Sequence, residues 1–431
     1  MTADIDTAES IESAFIETPP LPQSLPPQVV RPAAAWELAS LMADASADAR
    51  SVRIAGSGTK DAVGRLPDAD LIVQTTSLRG LSDYAPETGM VRILAGTTVG
   101  EVEVELARIG RMVPSEFLDL APLFGFEPGS GTLGGTLAAG FEGHRAVAAG
   151  RLYRHLRDLV LITGDGRELR QGAQSGSATG PVALASRLAG SWGRLGAVTE
   201  VVLETAPLPE ASITLVLRGL TDDLATAALS DALRADCGVT GGAHIDAHLI
   251  ARTPGLEGLG ATETATLLRL EGRTDRVGAA MDTLTKALAI YGTADLIGDA
   301  ETADLWREIN RLASFVGSGE PLWRIAVSPS RMAGVLATIR RAFDAAVMID
   351  GAGRTAWVEL PFAADAGVTE VRRSLAADGG LATLVRAAPD SRAVTPCFPS
   401  LGPAAADLAR SLQRELDPAG NLSKDGAYAG R

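Results

Sequence analysis

The stretch from 127 to 143, EPGSGTLGGTLAAGFEG, sets Gly129, Gly131 and Gly134 at G-x-G-x-x-G spacing, and no other feature constrains the fold as tightly. That spelling marks the first turn of a dinucleotide-binding Rossmann unit. Such a turn needs a strand just before the first glycine, a helix after the last, and an acid about 20 residues further on. Here the preceding run, FLDLAPLFGFEP, carries two prolines and a glycine and makes a poor central strand. The run after Gly135 reaches Gly140 within two turns, and Asp158 precedes its strand instead of ending one. The Rossmann reading therefore fails. A P-loop fails as well, because AGSGTKD lacks the order G-K-[ST].

What remains is three glycine-rich loops at 55–60 (AGSGTK), 128–135 (PGSGTLGG) and 190–196 (GSWGRLG), each beside a strand signal. Loops without side chains let backbone N–H groups converge on an anion and bring the chain close to a pyrophosphate or a flat ring. Periodicity places a helix over 33–45, strands at 69–76 and 89–96, and a helix over 97–110 capped by Thr97 or Thr98. Residues 156–172 read as a hairpin turning at Asp165-Gly166, and 182–210 as helix, glycine turn, strand and a proline-marked exit. Three strand–turn–helix units then begin near 213, 266 and 322, with a hairpin at 346–361 and a last helix stopped by Pro418 and Gly420. This pattern predicts an α+β sheet of the split-βαβ type with helices on one face.

Bulk properties exclude several functions. A net charge of −14 disfavours nucleic acid and charge-driven binding to anionic membranes. Two cysteines, Cys237 and Cys397, cannot supply the roughly four thiolates of an iron–sulfur cluster. The acidic, proline-bearing residues 1–28 read as a disordered tail, with no secretory signal and no transmembrane segment along the chain, which points to a reduced, cytoplasmic setting.

The order RIAGSGTK, GTLGGTLAAG, RDLVLITGDGRELRQG and GSWGRLGAVTEVVL resembles the PCMH-type FAD-binding domain of the vanillyl-alcohol oxidase superfamily. Within it, the likeness is to the FAD-binding subunits of bacterial glycolate oxidases, supported more loosely by LWREINRLASF, PLWRIAVSP and ELDPAGNL. The resemblance implies an α+β fold: an FAD-binding domain of two α/β subdomains over 29–208, then an α+β cap domain over 209–431 with a ferredoxin-like antiparallel sheet. The C-terminal helix and tail would return to the FAD domain. It implies that Ala55, Gly56, Ser57, Gly58, Thr59 and Lys60 hold the pyrophosphate of FAD. Gly131, Thr132, Gly134, Gly135 and Ala138 would line the diphosphate and ribityl region, and Gly193 and Val198 would lie near the adenine or the ring edge. Replacing Gly134 with valine should then abolish FAD binding in a folded chain. FAD would be non-covalent, since the first loop offers no histidine.

By the same resemblance the chain is a subunit of a 2-hydroxy-acid oxidase or dehydrogenase, relaying electrons beside a second flavoprotein subunit and an iron–sulfur subunit. Any membrane association would run through those partners. One departure stands out: Val182 and Ala183 occupy positions where the group carries tyrosine and aspartate. That opens the alternative of an assembly subunit with weakened or lost FAD binding; a self-sufficient FAD oxidase is a third reading. No catalytic or metal-ligating residue is assigned. No histidine follows His248, so the histidine-based hydroxy-acid site of relatives on this fold cannot be assembled. His244 and His248 miss the H-E-x-x-H order and read as packing or surface residues. Trp306, Trp323 and Trp357 read as core, and Arg324 as a packing residue with carboxylate binding as the lesser alternative.

Overall fold

A computed structural model describes residues 26–64, 68–172, 181–260, 262–376 and 379–422. The first sheet is parallel, with strands Gln28–Val30, Leu71–Gln74 and Val52–Ala55 side by side in that order. Helix Ala35–Ala47 covers it with Leu38, Met42 and Ala45, spaced at 4 and 3 residues so that they share one face. Gln28 is thus already a strand residue, inside the stretch expected to be tail; residues 1–25 lie outside those described.

The second sheet is antiparallel, ordered Leu81–Ala85, Met90–Leu94, Ala197–Glu204, Leu156–Ile162, Glu168–Gly172. Its last pair is the expected hairpin, with Gly166 at φ +83° in the turn. Helix Val99–Arg108 starts in a full capping box: Thr98 Oγ1 accepts from the Glu101 amide at 3.3 Å, and Glu101 Oε2 accepts from the Thr98 amide at 3.0 Å. Its apolar face, Val99, Val102 and Leu106, packs with Val91, Ile93 and Val201.

From Ala211 onward one eight-stranded antiparallel sheet forms. Its order is Asp295–Ile297, Ala211–Arg218, Ala265–Gly272, Val239–Ile245, Ala346–Asp350, Thr355–Glu359, Leu322–Ala326, Leu381–Arg386. This is two βαββαβ units laid edge to edge. Each has the strand order 4-1-3-2, and they join where His244 and Ile245 pair with Ile349 and Met348. The expected ferredoxin-like sheet is present and doubled. Its fourth helix, Val368–Leu375, is only 8 residues long and left too short a period to read in the sequence. Helices Asp222–Arg234, Thr274–Leu288, Pro329–Ala342 and Val368–Leu375 all bury residues in one core on one face of the sheet. The other face packs Trp357 and Ile245 with Leu118, Leu120 and Phe141 from the N-terminal half.

Helix Pro403–Leu416 then returns to the first half of the chain. Leu412 and Leu416 enter the core of the five-stranded sheet, and the Leu416 carbonyl accepts from the Gly164 amide at 2.7 Å. The Asn421 carbonyl accepts from Val52 at 2.7 Å, which ties the chain end to the strand leading into the first glycine loop.

A candidate cofactor cleft between three glycine loops

The three glycine loops, up to 135 residues apart in sequence, meet. A Cβ on Gly56 would lie 2.2 Å from Thr132 Oγ1 and one on Gly131 3.2 Å from Lys60 Nζ, while Gly193, at φ +81°, stands beside Ile54 of the strand leading into the first loop. Bare backbone is therefore what lets the loops touch. Between them lies a cleft of about 1100 Å³, counting the space open to solvent at its mouth.

From the first loop, Ala55, Gly56, Ser57, Gly58, Thr59 and Lys60 all line the cleft. Thr132, Gly134, Gly135 and Ala138 line it from the second, and Gly193 and Val198 from the third. Gly131 alone of the expected set stands behind the wall, against Lys60 and Thr59.

The first loop is where donors are available. Among the described residues, the amides of Ser57, Gly58, Thr59 and Lys60 have no intramolecular acceptor, and Ser57 Oγ is buried without a partner. Buried unmet donors of this kind call for an anionic or polar ligand. Lys60 adds the cation. Desolvation pulls its ammonium down to about 8, partly offset by the charge of Asp119. Arg53 also lines the cleft but is held by Asp61 at 2.9 Å.

In the second loop the expectation of amide donors needs correcting. The Gly134 amide already donates to the Ala95 carbonyl at 2.8 Å, and the Gly135 amide to Thr132 Oγ1 at 3.2 Å. Those bonds start helix Leu133–Ala139, whose 7 residues end at Gly140 in the left-handed region. A Cβ on Gly134 would sit 3.0 Å from Ala95 Cβ, pointing at the sheet and away from the cleft. Gly134→Val would thus strain the fold itself, contrary to the expectation of a folded, flavin-free chain.

Two aromatic residues were missed. Trp192, held at φ +54°, and Phe398 both line the cleft, with ring centroids 5.4 Å apart. Trp192 sits inside the third glycine loop, so that loop was its signal; Phe398 arrives from 200 residues downstream and had none. Trp306, Trp323 and Trp357 are buried core, their indoles donating to Thr214, the Ala366 carbonyl and Asp350. His244 is buried and bonded to Thr266 Oγ1 at 2.9 Å, while His248 is exposed, so the two do not form a joint site. The variable segment before the third loop lies mostly outside the described residues; Ala183 belongs to helix Pro181–Leu188.

A parallel α/β unit, a five-stranded antiparallel unit and a cleft between glycine loops, backed by a large antiparallel sheet, make up the PCMH-type FAD-binding fold. Residues 26–172 match the family model described as FAD binding domain. That match gives the chain an FAD-binding domain over these residues, with FAD as its cofactor.

Among curated proteins it is similar to the glycolate oxidase subunit GlcE of Escherichia coli (strain K12), 30% identical over 171 residues, covering 40% of this chain and 47% of that protein. It is also 25% identical over 160 residues to the D-lactate dehydrogenase of Anaerostipes hadrus, covering 36% of this chain and 31% of that one. The matched stretch thus spans less than half of either relative. Among solved structures, the 4-ethylphenol oxidase from Gulosibacter chungangensis shares the fold at a TM-score of 0.68 and 12% identity, over 93% of this chain and 89% of that one. Among the described residues no helix is long and apolar enough to cross a membrane.

Proposed function

We propose that the chain is the FAD-binding subunit of a multi-subunit 2-hydroxy-acid oxidase or dehydrogenase and passes electrons between its flavin and partner subunits. The amides of residues 57–60, with Lys60 and Ser57 Oγ, bind the diphosphate; Thr132, Gly135 and Ala138 border the ribityl chain; Gly193 and Val198 border the ring edge or adenine. Trp192 and Phe398 exclude water from the deeper part of the cleft. FAD, once bound, supplies the redox chemistry, and the protein binds, orients and shields it.

The observation that carries the relay reading is the lining of the cleft. Oxidising a hydroxy acid requires a base to take a proton. Among the described lining residues there is no histidine, and the one carboxylate, Asp61, is paired with Arg53. The similarity to GlcE supports the subunit assignment.

A self-sufficient oxidase is the second reading, and Arg324 favours it. Its guanidinium lies 5.0 Å over Phe141 and 5.9 Å from the Trp357 ring, with Nε buried and unpaired. A cation so placed can take a carboxylate. One experiment separates the readings: an absorption spectrum of the purified chain, flavin quantified after acid release, and anaerobic addition of glycolate or D-lactate. The relay reading expects about one FAD per chain, unbleached until partner subunits are added. Bleaching in the isolated chain selects the oxidase, and a colourless protein with no releasable flavin selects a scaffold.

Lys60 makes affinity depend on pH. The diphosphate raises its pKa, so binding takes up a proton wherever the free chain has lost it. FAD affinity should therefore be flat below about pH 8 and fall above it by up to about tenfold per pH unit. Lys60→Met should remove the slope, as titration of the apoprotein with FAD between pH 7 and 9.5 would show.

A further inference from the structure

A second, larger concavity adjoins the cofactor cleft. It runs between helix Pro181–Leu188 and the loop after it, residues 392–401, and helix Pro403–Leu416, and encloses about 2710 Å³ with its open side. Two of its walls are helices, and a further helix can lie along such walls by ridges-into-grooves packing.

Two features say what fills it. Val394, at the end of helix Pro389–Val394, is 76% exposed and Leu408, on helix Pro403–Leu416, 50% exposed, so a short apolar stripe from two helices faces solvent. Around that stripe stand Arg187, Arg194, Arg392 and Arg410, and among the described residues no carboxylate lines the groove. Arg410 also pairs with Asp407 on its own helix, outside the lining. In a chain of net charge −14, a groove walled by four arginines is a local reversal of sign. A second copy of this acidic chain is the wrong partner on charge, and an apolar helix with acidic flanks is the right one.

We propose that this groove docks an acidic amphipathic helix of a partner subunit. The proposal rests on the multi-subunit reading above. Ser191, Arg194 and Phe398 line both groove and cleft, so the docked helix lies beside the flavin site.

The test uses the full chain expressed in its own cells, with photo-cross-linking p-benzoylphenylalanine placed at 394, at 408, or, as a control, at position 290, outside the groove in the turn that precedes the edge strand Asp295–Ile297. Ile290 is 80% exposed. Irradiation should join 394 and 408, but not 290, to one acidic amphipathic segment of a co-purifying subunit. Val394→Glu and the pair Arg187→Glu, Arg410→Glu should each lower complex yield by about tenfold or more, with flavin content and melting temperature unchanged; Arg187→Lys with Arg410→Lys should keep it. A complex that forms normally but cross-links from 290 as strongly as from 394 overturns the docking site alone. So do adducts with a second copy of this chain, with lipid or with residues 1–25. A chain that purifies from its own cells as a flavin-bearing monomer overturns the subunit reading and the docking site together.

Discussion

Gly56→Ala should lower FAD affinity by about a hundredfold or more, equivalent to ~3 kcal/mol, in a chain that still folds. Its Cβ would fall 2.2 Å from Thr132 Oγ1 and 3.2 Å from Thr132 Cβ and Cγ2, so the first and second loops must part to admit it. Gly56 is half-buried on the wall of the cleft and is not part of an apolar core. Separation of the two loops displaces the first, whose amides at 57–60 have no acceptor within the described residues. The repair is equally specific. Thr132→Ala deletes the clashing hydroxyl and the helix cap it gives to Gly135, a loss of about 1 kcal/mol of stability on its own. The double variant Gly56→Ala, Thr132→Ala should regain most of the flavin. Fluorescence titration of the four proteins decides: if Gly56→Ala binds FAD as tightly as wild type, the loops do not hold the cofactor as assigned.

Glu116→Gln should destabilise the chain by about 3–5 kcal/mol, the usual result of orphaning one side of a buried ion pair. Arg269 Nη1 and Nη2 donate to Glu116 Oε1 and Oε2 at 2.8 and 3.0 Å, and the Arg145 amide donates to Oε2 at 2.9 Å. Arg145 in turn forks onto Glu271 at 2.8 and 2.9 Å. Two of these residues belong to the first half of the chain and two to the eight-stranded sheet, so the network fastens one to the other. Glu116→Leu with Arg269→Met, which removes both charges, should recover much of the loss in chemical denaturation, whereas either single change should not.

The same network predicts acid sensitivity. Burial alone would raise the Glu116 carboxyl, but Arg269 and then Arg145 hold it well below the usual carboxylate range. Its folded pKa lies below its unfolded one, so its contribution is complete above about pH 4.5 and is lost as pH falls from there. Glu116→Gln should flatten that limb of the stability curve.

How much of this was legible in the sequence differs element by element. Helix Val99–Arg108 and the hairpin at Gly166 could be read because their determinants are local: a capping box three residues wide, and a turn dipeptide between alternating apolar runs. The first loop could be read as a donor site for the same reason, since absent side chains expose amides wherever the loop lies. The second loop misled. Whether Gly134 offers its amide and its open side to a ligand depends on Ala95, nearly forty residues upstream, which takes both. Phe398 and the partnership of Glu116 with Arg269 were invisible because nothing in a residue's neighbours along the chain says which distant strand it will face. The doubling of the split-βαβ unit was hidden similarly: each half repeats recognisable strand–helix pieces, but their union is a pairing of Val239–Ile245 with Ala346–Asp350, a hundred residues apart.

By itself, then, the sequence determined the local chemistry: three glycine-bare bends, an acidic chain without thiolates for a cluster, and amphipathic helices with their caps. Only the tertiary structure decided which of those bends keep their amides free and where the aromatic walls and buried charges close around them. Backbone conformation is set within a few residues, whereas hydrogen-bond occupancy, desolvation and close approach are properties of whatever packs opposite.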